Sequence, residues 1–293
     1  MQNQSHWESF RDAQLEITLP AGQAAHTPIR IRYIDTGENK LGVILLLHGI
    51  PTWGFLYHEI IPVLVEAGYR VIAPDLMGHG WSDRRDCFDR SFQDQAKMIL
   101  NLLKAIQIEK VDLVGHDTGG AVALILAIEH AQVLNRLVIT NSVCYDRFDD
   151  DMLDFGHPTR WKHRPNSDLT NALEESLSAG IYNKHRLTTA FREGIIAPWA
   201  SDEGKLSLIR NASALNANQT MALVDRHGSI NAKTLVLWGM KDPWQRFEDG
   251  QKLAKEIPNA VFKGIENASH WLQQDCPEAF ANCLLNFFSD TIR

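Results

Sequence analysis

Apolar positions along the chain follow two periods that replace one another. Residues 14–19 and 28–35 alternate apolar and polar side chains, the second as Ile-Arg-Ile-Arg-Tyr-Ile-Asp over 29–35. That period predicts two half-exposed antiparallel strands, an opening hairpin at a sheet edge. Residues 42–47 (Gly-Val-Ile-Leu-Leu-Leu) are continuously apolar, as in a strand covered on both faces. An amphipathic helix to about residue 67, a strand over 69–74 and a helix over 91–106 follow. The run from Val111 to Leu124 is an apolar strand that breaks at a tight turn and continues as an apolar helix, and 134–140 is the next strand.

From 144 to 225 the alternation stops, and a segment with Pro158, Pro165 and Pro198 reads as several short helices. It resumes with a strand at 234–238, a helix near 245–256, a strand at 260–264 and a closing helix from about 277 to 288. Strands alternating with helices imply an α/β fold, a doubly wound and mainly parallel sheet. The expected division is a core of residues 1–143 and 226–293, with 144–225 inserted as a helical cap over the strand ends. Neither internal repeats nor low-complexity tracts interrupt it.

The turn inside Val111-Asp-Leu-Val-Gly-His-Asp-Thr-Gly-Gly-Ala-Val-Ala-Leu124 organises the rest. Small residues are required at Gly115, Gly119 and Gly120, where the backbone folds back on itself and a Cβ would collide. This is the G-x-S-x-G pattern that exposes a reactive side chain above a parallel sheet. Here it reads Gly115-His116-Asp117-Thr118-Gly119, with a carboxylate in the place of the usual serine.

Composition narrows the partners. With 293 residues, 44% of them hydrophobic, the chain can bury a large core. A net charge of −7 provides no electrostatic reason to expect nucleic acid or an anionic membrane. No apolar run approaches the ~20 residues of a membrane helix. The first residues, Met-Gln-Asn-Gln-Ser-His, lack the basic and apolar segments of a signal peptide. Cys87, Cys144, Cys276 and Cys283 show no metal-ligand spacing and read as free thiols of a reducing compartment. The expected setting is cytoplasmic. The histidines show no paired-ligand spacing, and the glycines near Gly115 lack dinucleotide-site spacing, so neither metal nor cofactor is expected. The expected partners are a small apolar organic molecule and water, and the oligomeric state is left open.

Two later loops supply what a nucleophile at such a turn needs. Trp238-Gly-Met-Lys-Asp242 puts an acid after one strand, and Asn267-Ala-Ser-His270-Trp271 puts a histidine after the next. The order nucleophile, acid, histidine belongs to the α/β-hydrolases. The chain resembles that fold over essentially its whole length, and within it the branches with aspartate nucleophiles, haloalkane dehalogenases and epoxide hydrolases. His48-Gly-Ile-Pro-Thr-Trp-Gly-Phe-Leu-Tyr57 is similar to a dehalogenase segment, and Asp75-Leu-Met-Gly-His-Gly-Trp-Ser82 to a loop-fixing turn of the fold.

Chemistry agrees with the resemblance. A carboxylate attacking an acyl carbon would form a reactive anhydride, whereas attacking a saturated carbon it forms an ordinary ester. Asp117 is therefore expected to accept an alkyl group, and His270, oriented by Asp242, to activate the water that hydrolyses the ester. The backbone N–H groups of Ile50 and Thr118 are the expected oxyanion donors.

The resemblance fails at the leaving group. Such dehalogenases carry tryptophan after the nucleophile and often asparagine after His-Gly; this chain has Thr118 and Ile50 there. Trp161 and Trp199 are candidate substitutes, while Trp53 and Trp271 are candidate pocket walls. Epoxide hydrolases use two cap tyrosines, for which only Tyr145 and Tyr182 are available. The similarity of residues 48–57 favours halide over epoxide oxygen. His116 is expected to support the site from behind, and a receptor without turnover is the competing class.

Overall fold

In the computed structural model, which describes residues 5–20, 27–38 and 40–289, the two periods become one sheet of eight strands in the order β1-β2-β4-β3-β5-β6-β7-β8. The reading of the first four residues as part of no leader lies outside the described residues. β1 (Leu15–Leu19) and β2 (Ile29–Asp35) pair antiparallel at one edge, and β2 is also antiparallel to β4 (Arg70–Pro74). From β4 through β3 (Val43–Leu47), β5 (Val111–Asp117), β6 (Leu134–Ser142), β7 (Lys233–Gly239) and β8 (Ala260–Ile265), all neighbours are parallel. The continuously apolar strands are the central ones: β5 is buried at every residue and β3 at all but its first.

Helices cover both faces. α1 (His6–Ala13) precedes β1, and α2 (Ile60–Glu66) follows β3. α3 (Phe92–Ala105) starts at Ser91, whose side chain accepts the N–H of Asp94, an ordinary N-cap. α4 (Thr118–Glu129) is apolar on every side because ten of its residues are buried between the sheet and its neighbours. Between β6 and β7 the chain forms α5 (Asp150–Phe155), α6 (Pro158–Trp161), α7 (Asn166–Ala179), α8 (Thr189–Ile196), α9 (Asp202–Ser213) and α10 (Ala217–Met221). α11 (Phe247–Glu256), α12 (Leu272–Asp275) and α13 (Pro277–Ser289) complete the core. No described helix is long and apolar enough to cross a membrane.

Two local expectations change. α1 was not anticipated, although Ser5 and Glu8 form a reciprocal capping box; Trp7 and Phe10 then pack on Trp81 and Phe55. The amphipathic helix expected after His48 divides into a tight 3-10 turn, Gly54–Tyr57, and α2. The buried Asp75 carboxylate accepts the Gly54 N–H at 2.9 Å, and the Tyr57 hydroxyl donates to Leu47 O at 2.8 Å. Both bonds pull the segment onto the strand ends before the helix can begin.

The order β4-β3-β5 makes the chain reverse its direction of travel around β3. The carboxyl ends of strands at such a switch leave a crevice. Residues 48–50 leave β3 there and Asp117 ends β5 beside them.

The turn is held by contact. A Cβ on Gly119 would lie 2.3 Å from His48 O and 2.6 Å from Leu47 O. Gly119→Ala is therefore expected to destabilise the protein by about 2 kcal/mol or more, the range of overpacking against atoms that cannot withdraw. Chemical denaturation measures it, and a loss below ~0.5 kcal/mol, the scale of a neutral surface change, would contradict this close approach.

Candidate active site

Asp117, the last residue of β5 and the one directly before α4, takes φ 52° and ψ −122°, a conformation L residues rarely adopt. Such strain persists only where surrounding structure enforces it. Here Gly115 lets β5 press against α4, and Gly120 lets α4 press against β6, since a Cβ on Gly115 would lie 2.6 Å from Gly119 O and one on Gly120 2.1 Å from Ser142 Oγ. Ser142 Oγ donates to Asp117 O at 3.0 Å. The turn thus raises the side chain of Asp117 into the crevice.

Its carboxyl group is tightly received. The Ile50 N–H donates to Oδ1 at 2.9 Å, and the Thr118 N–H also hydrogen-bonds the carboxyl group. Gly49 lies flat beneath it, where a Cβ would come within 2.2 Å of Oδ1. Burial is the largest influence on its acidity and, against His270 and the two N–H donors, pushes the pKa up to about 6.

Asp242 and His270 meet from adjacent strand ends. Asp242 Oδ1 accepts the N–H groups of Trp244 and Gln245 at 2.8 and 3.0 Å. Oδ2 accepts from Asn141 Nδ2 at 2.6 Å and faces His270 Nδ1 at 2.8 Å. With four donors on one carboxylate, His270 must place its proton on Nδ1, which leaves Nε2 as an acceptor while the ring is neutral. Burial draws the His270 pKa down, but the charge and hydrogen bond of Asp242, with Asp117 and Asp149, outweigh it and hold it above the ordinary value. His116, fully buried, binds His270 O through Nε2 at 3.0 Å, the supporting position expected of it.

Asp117, Thr118, Ile50 and His270 line one narrow cavity of about 20 Å3, walled mainly by Val143, Phe148, Met152, Leu215, Trp244 and Trp271. Asp149 also reaches it. Among the described residues no group of three or more histidines, cysteines or acids is placed to hold a metal ion.

Of the aromatic residues expected around the leaving group, only Trp271 lines this cavity. It is 1% exposed, and its indole N–H finds no acceptor among the described residues. The other indoles serve packing. Trp53 Nε1 donates to Gly194 O at 2.8 Å and Trp199 Nε1 to Pro51 O at 2.7 Å, both tying the core loop after β3 to the helical segment. Trp161 Nε1 donates to Asp154 O at 3.0 Å beside a separate cleft. Tyr182 is 47% exposed because Asp275 captures its backbone N–H, and the Tyr145 hydroxyl donates to Glu256 at 2.7 Å. Sequence reasoning missed Asn141, Trp244 and Asp149. Asn141 also accepts the Gly239 N–H at 2.9 Å, so it fixes the ends of β6 and β7 together. No spacing rule marks any of the three.

Against known proteins, residues 42–276 match the model of the alpha/beta hydrolase fold family. Haloalkane dehalogenase 2 of Mycobacterium tuberculosis is 28% identical over 273 residues, spanning 88% of this chain and 91% of that protein. A 2-hydroxy-6-oxononadienedioate/2-hydroxy-6-oxononatrienedioate hydrolase of Paraburkholderia phymatum is 25% identical over 89% of this chain and 91% of its own length. Among solved structures, an alpha/beta hydrolase fold protein from Burkholderia ambifaria superposes with a TM-score of 0.82 at 23% identity, covering 93% of this chain and 100% of that one.

The buried carboxyl group can be titrated directly. A carbon-13 NMR titration, with Asp117→Asn assigning the signal, is expected to show the Asp117 carboxyl losing its proton near pH 6. A midpoint near the ordinary ~4 would mean that water reaches the group.

Proposed function

The chain belongs to the alpha/beta hydrolase fold family, and from that premise we propose that it hydrolyses small organohalides through an ester on Asp117, releasing halide and an alcohol. The observation that carries this reading is a buried carboxylate, in place of a hydroxyl, on a strained turn with Oδ1 already held by the Ile50 N–H. Residues 144–225 act as the cap that closes the site from above.

In the first step the other Asp117 oxygen attacks the saturated carbon, forming a C–O bond while the carbon–halogen bond breaks and the halide departs with its electron pair. The unpaired indole N–H of Trp271 is the donor on this cavity's wall suited to the departing halide. Asp117 loses its charge on alkylation. That charge is one of the influences holding the His270 pKa up, so ester formation itself favours neutral His270 in time for the second step.

His270 Nε2 then takes a proton from water as the water oxygen attacks Cγ of Asp117. Negative charge develops on Oδ1, the oxygen already facing the Ile50 N–H, with Thr118 alongside. Preorganised donors of this kind are worth about 3 kcal/mol each in the transition state. Collapse of the intermediate breaks the ester C–O bond at Cγ, returns a proton to the departing alkoxide and restores the carboxylate. Asp242 stabilises the imidazolium throughout.

Epoxide opening needs an acid at the ring oxygen, and neither Tyr145 nor Tyr182 lines the cavity. Asp149 accepts N–H bonds from Asp151 and Met152, although burial outweighs them and raises its pKa. The lack of a tyrosine on the cavity wall among the described residues supports halide as the leaving group.

Two results test the reading. Incubated with brominated alkanes, His270→Gln is expected to accumulate an adduct whose intact mass equals enzyme plus substrate minus hydrogen bromide, and Asp117→Asn to form none. No adduct across a broad panel of haloalkanes, or ligand-induced melting shifts without product, would support a receptor instead. In the wild type, kcat/KM is expected to fall below about pH 6 as Asp117 takes up a proton. A profile flat down to about pH 4, the ordinary carboxyl range, would show that another group attacks.

A further inference from the structure

On the other side of Thr118 lies a second, narrow cavity of about 20 Å3. Ile50, Thr118 and Leu215 line both, so the two cavities are neighbours across these side chains, next to the nucleophile. Their charges are opposite. The first holds two carboxyl groups, of Asp117 and Asp149, against one imidazole, of His270, whereas the charged side chain lining the second is Arg90. His79 also lines it, but burial, with His48 and Arg90, keeps that imidazole neutral.

Arg90 is 9% exposed, and the oxygens that hold it are uncharged. Nη1 donates to Ser207 Oγ at 3.1 Å and to Asn211 Oδ1; Nη2 donates to the carbonyls of Arg84 and Arg85, each at 3.2 Å. Nε finds no acceptor among the described residues. The acids nearby serve other cations, Asp86 facing Arg210 at 3.6 Å and Asp83 binding Arg85. The guanidinium is also fixed in position, because Gly78 packs against it and Ser207 and Asn211 both donate to Gly78 O at 2.8 Å. Buried charges are ordinarily neutralised by a partner. A rigid, buried guanidinium with neutral dipoles around it and one N–H left over is an anion site in waiting.

We propose that the second chamber is a carboxylate subsite, and that the substrates are short haloalkanoates. The carbon–halogen end lies at Asp117, the apolar chain passes Ile50, Thr118 and Leu215, and the carboxylate reaches Arg90. An anionic tail in the first chamber would meet Asp117 and Asp149 and be repelled; in the second it is attracted. The proposal rests on the alkyl-transfer reading of Asp117, and the same two steps then convert a haloalkanoate and water into a hydroxyalkanoate, halide and a proton.

The test compares ω-bromobutanoate and ω-bromohexanoate with their primary amides in wild type, Arg90→Gln and Arg90→Lys. The wild type is expected to prefer at least one carboxylate over its amide by roughly tenfold or more in kcat/KM, the scale of one charge-assisted hydrogen bond. Arg90→Gln should erase the preference by lowering kcat/KM for the carboxylate far more than for the amide, and Arg90→Lys should retain part of it. No preference in the wild type, or an equal loss for both substrates, would overturn the proposal and leave Arg90 as a loop staple. Melting shifts in Asp117→Asn separate the ligands. Stabilisation by hexanoate that Arg90→Gln abolishes supports the subsite even if no ester ever forms on Asp117, so failure of the chemistry is distinguishable. Stabilisation by bromide alone would assign the chamber to released halide and overturn the substrate assignment.

Discussion

The site depends on one close approach: the backbone at the end of β3 touches the first turn of α4 at Gly119 and the Asp117 side chain at Gly49, with no room for a Cβ on either glycine. That contact forces Asp117 into positive φ, lifts its carboxyl group off the sheet and brings the Ile50 N–H to Oδ1. The oxygen that must bear negative charge in a tetrahedral intermediate is already bonded before any substrate arrives. Preorganisation of this kind is effective because no dipole must turn during the reaction. The folding energy that tolerates a strained residue here comes from the surrounding apolar layers, in which β3, β5 and α4 are almost wholly buried.

The second constraint is electrostatic. Asp242, His270 and Asp117 form a row in a buried region, and the middle group is drawn toward the charged form by the acids on either side. Only the Asp242 end is anchored by four donors. The Asp117 end is the one whose charge can change. In the proposed reaction, alkylation of Asp117 would therefore lower the basicity of the histidine.

Much of this was legible in residue patterns. Periods of two, continuous apolar runs and helical spacing marked all eight strands, because each is buried on a definite number of faces. The glycines around Asp117 marked the turn through steric need, and the structure brings Asp242 against His270 and Asp117 into the same cavity. What was not legible depends on partners far away in the chain. The indoles of Trp53 and Trp199 donate to carbonyls at Gly194 and Pro51, which nothing in their local sequence reveals. Asn141 lies at an ordinary strand end, and its part in holding Asp242 exists only because β6 and β7 are neighbours. α1 was overlooked despite the Ser-x-x-Glu spacing at its start, since its short length offers little periodicity.

The segment between β6 and β7 contributes Phe148, Met152 and Leu215 to the cavity, and in the proposed reading it is the cap that governs what reaches Asp117 while the core governs what happens there. The central claim is that this carboxyl group itself becomes the ester. A single turnover in heavy-oxygen water, with enzyme in excess over a brominated substrate, tests it most directly. Peptide mass spectrometry is expected to find the label in the Asp117 side chain and the product alcohol unlabelled. Label in the alcohol with none in Asp117 would mean that water attacks the substrate carbon directly, and the account would be wrong.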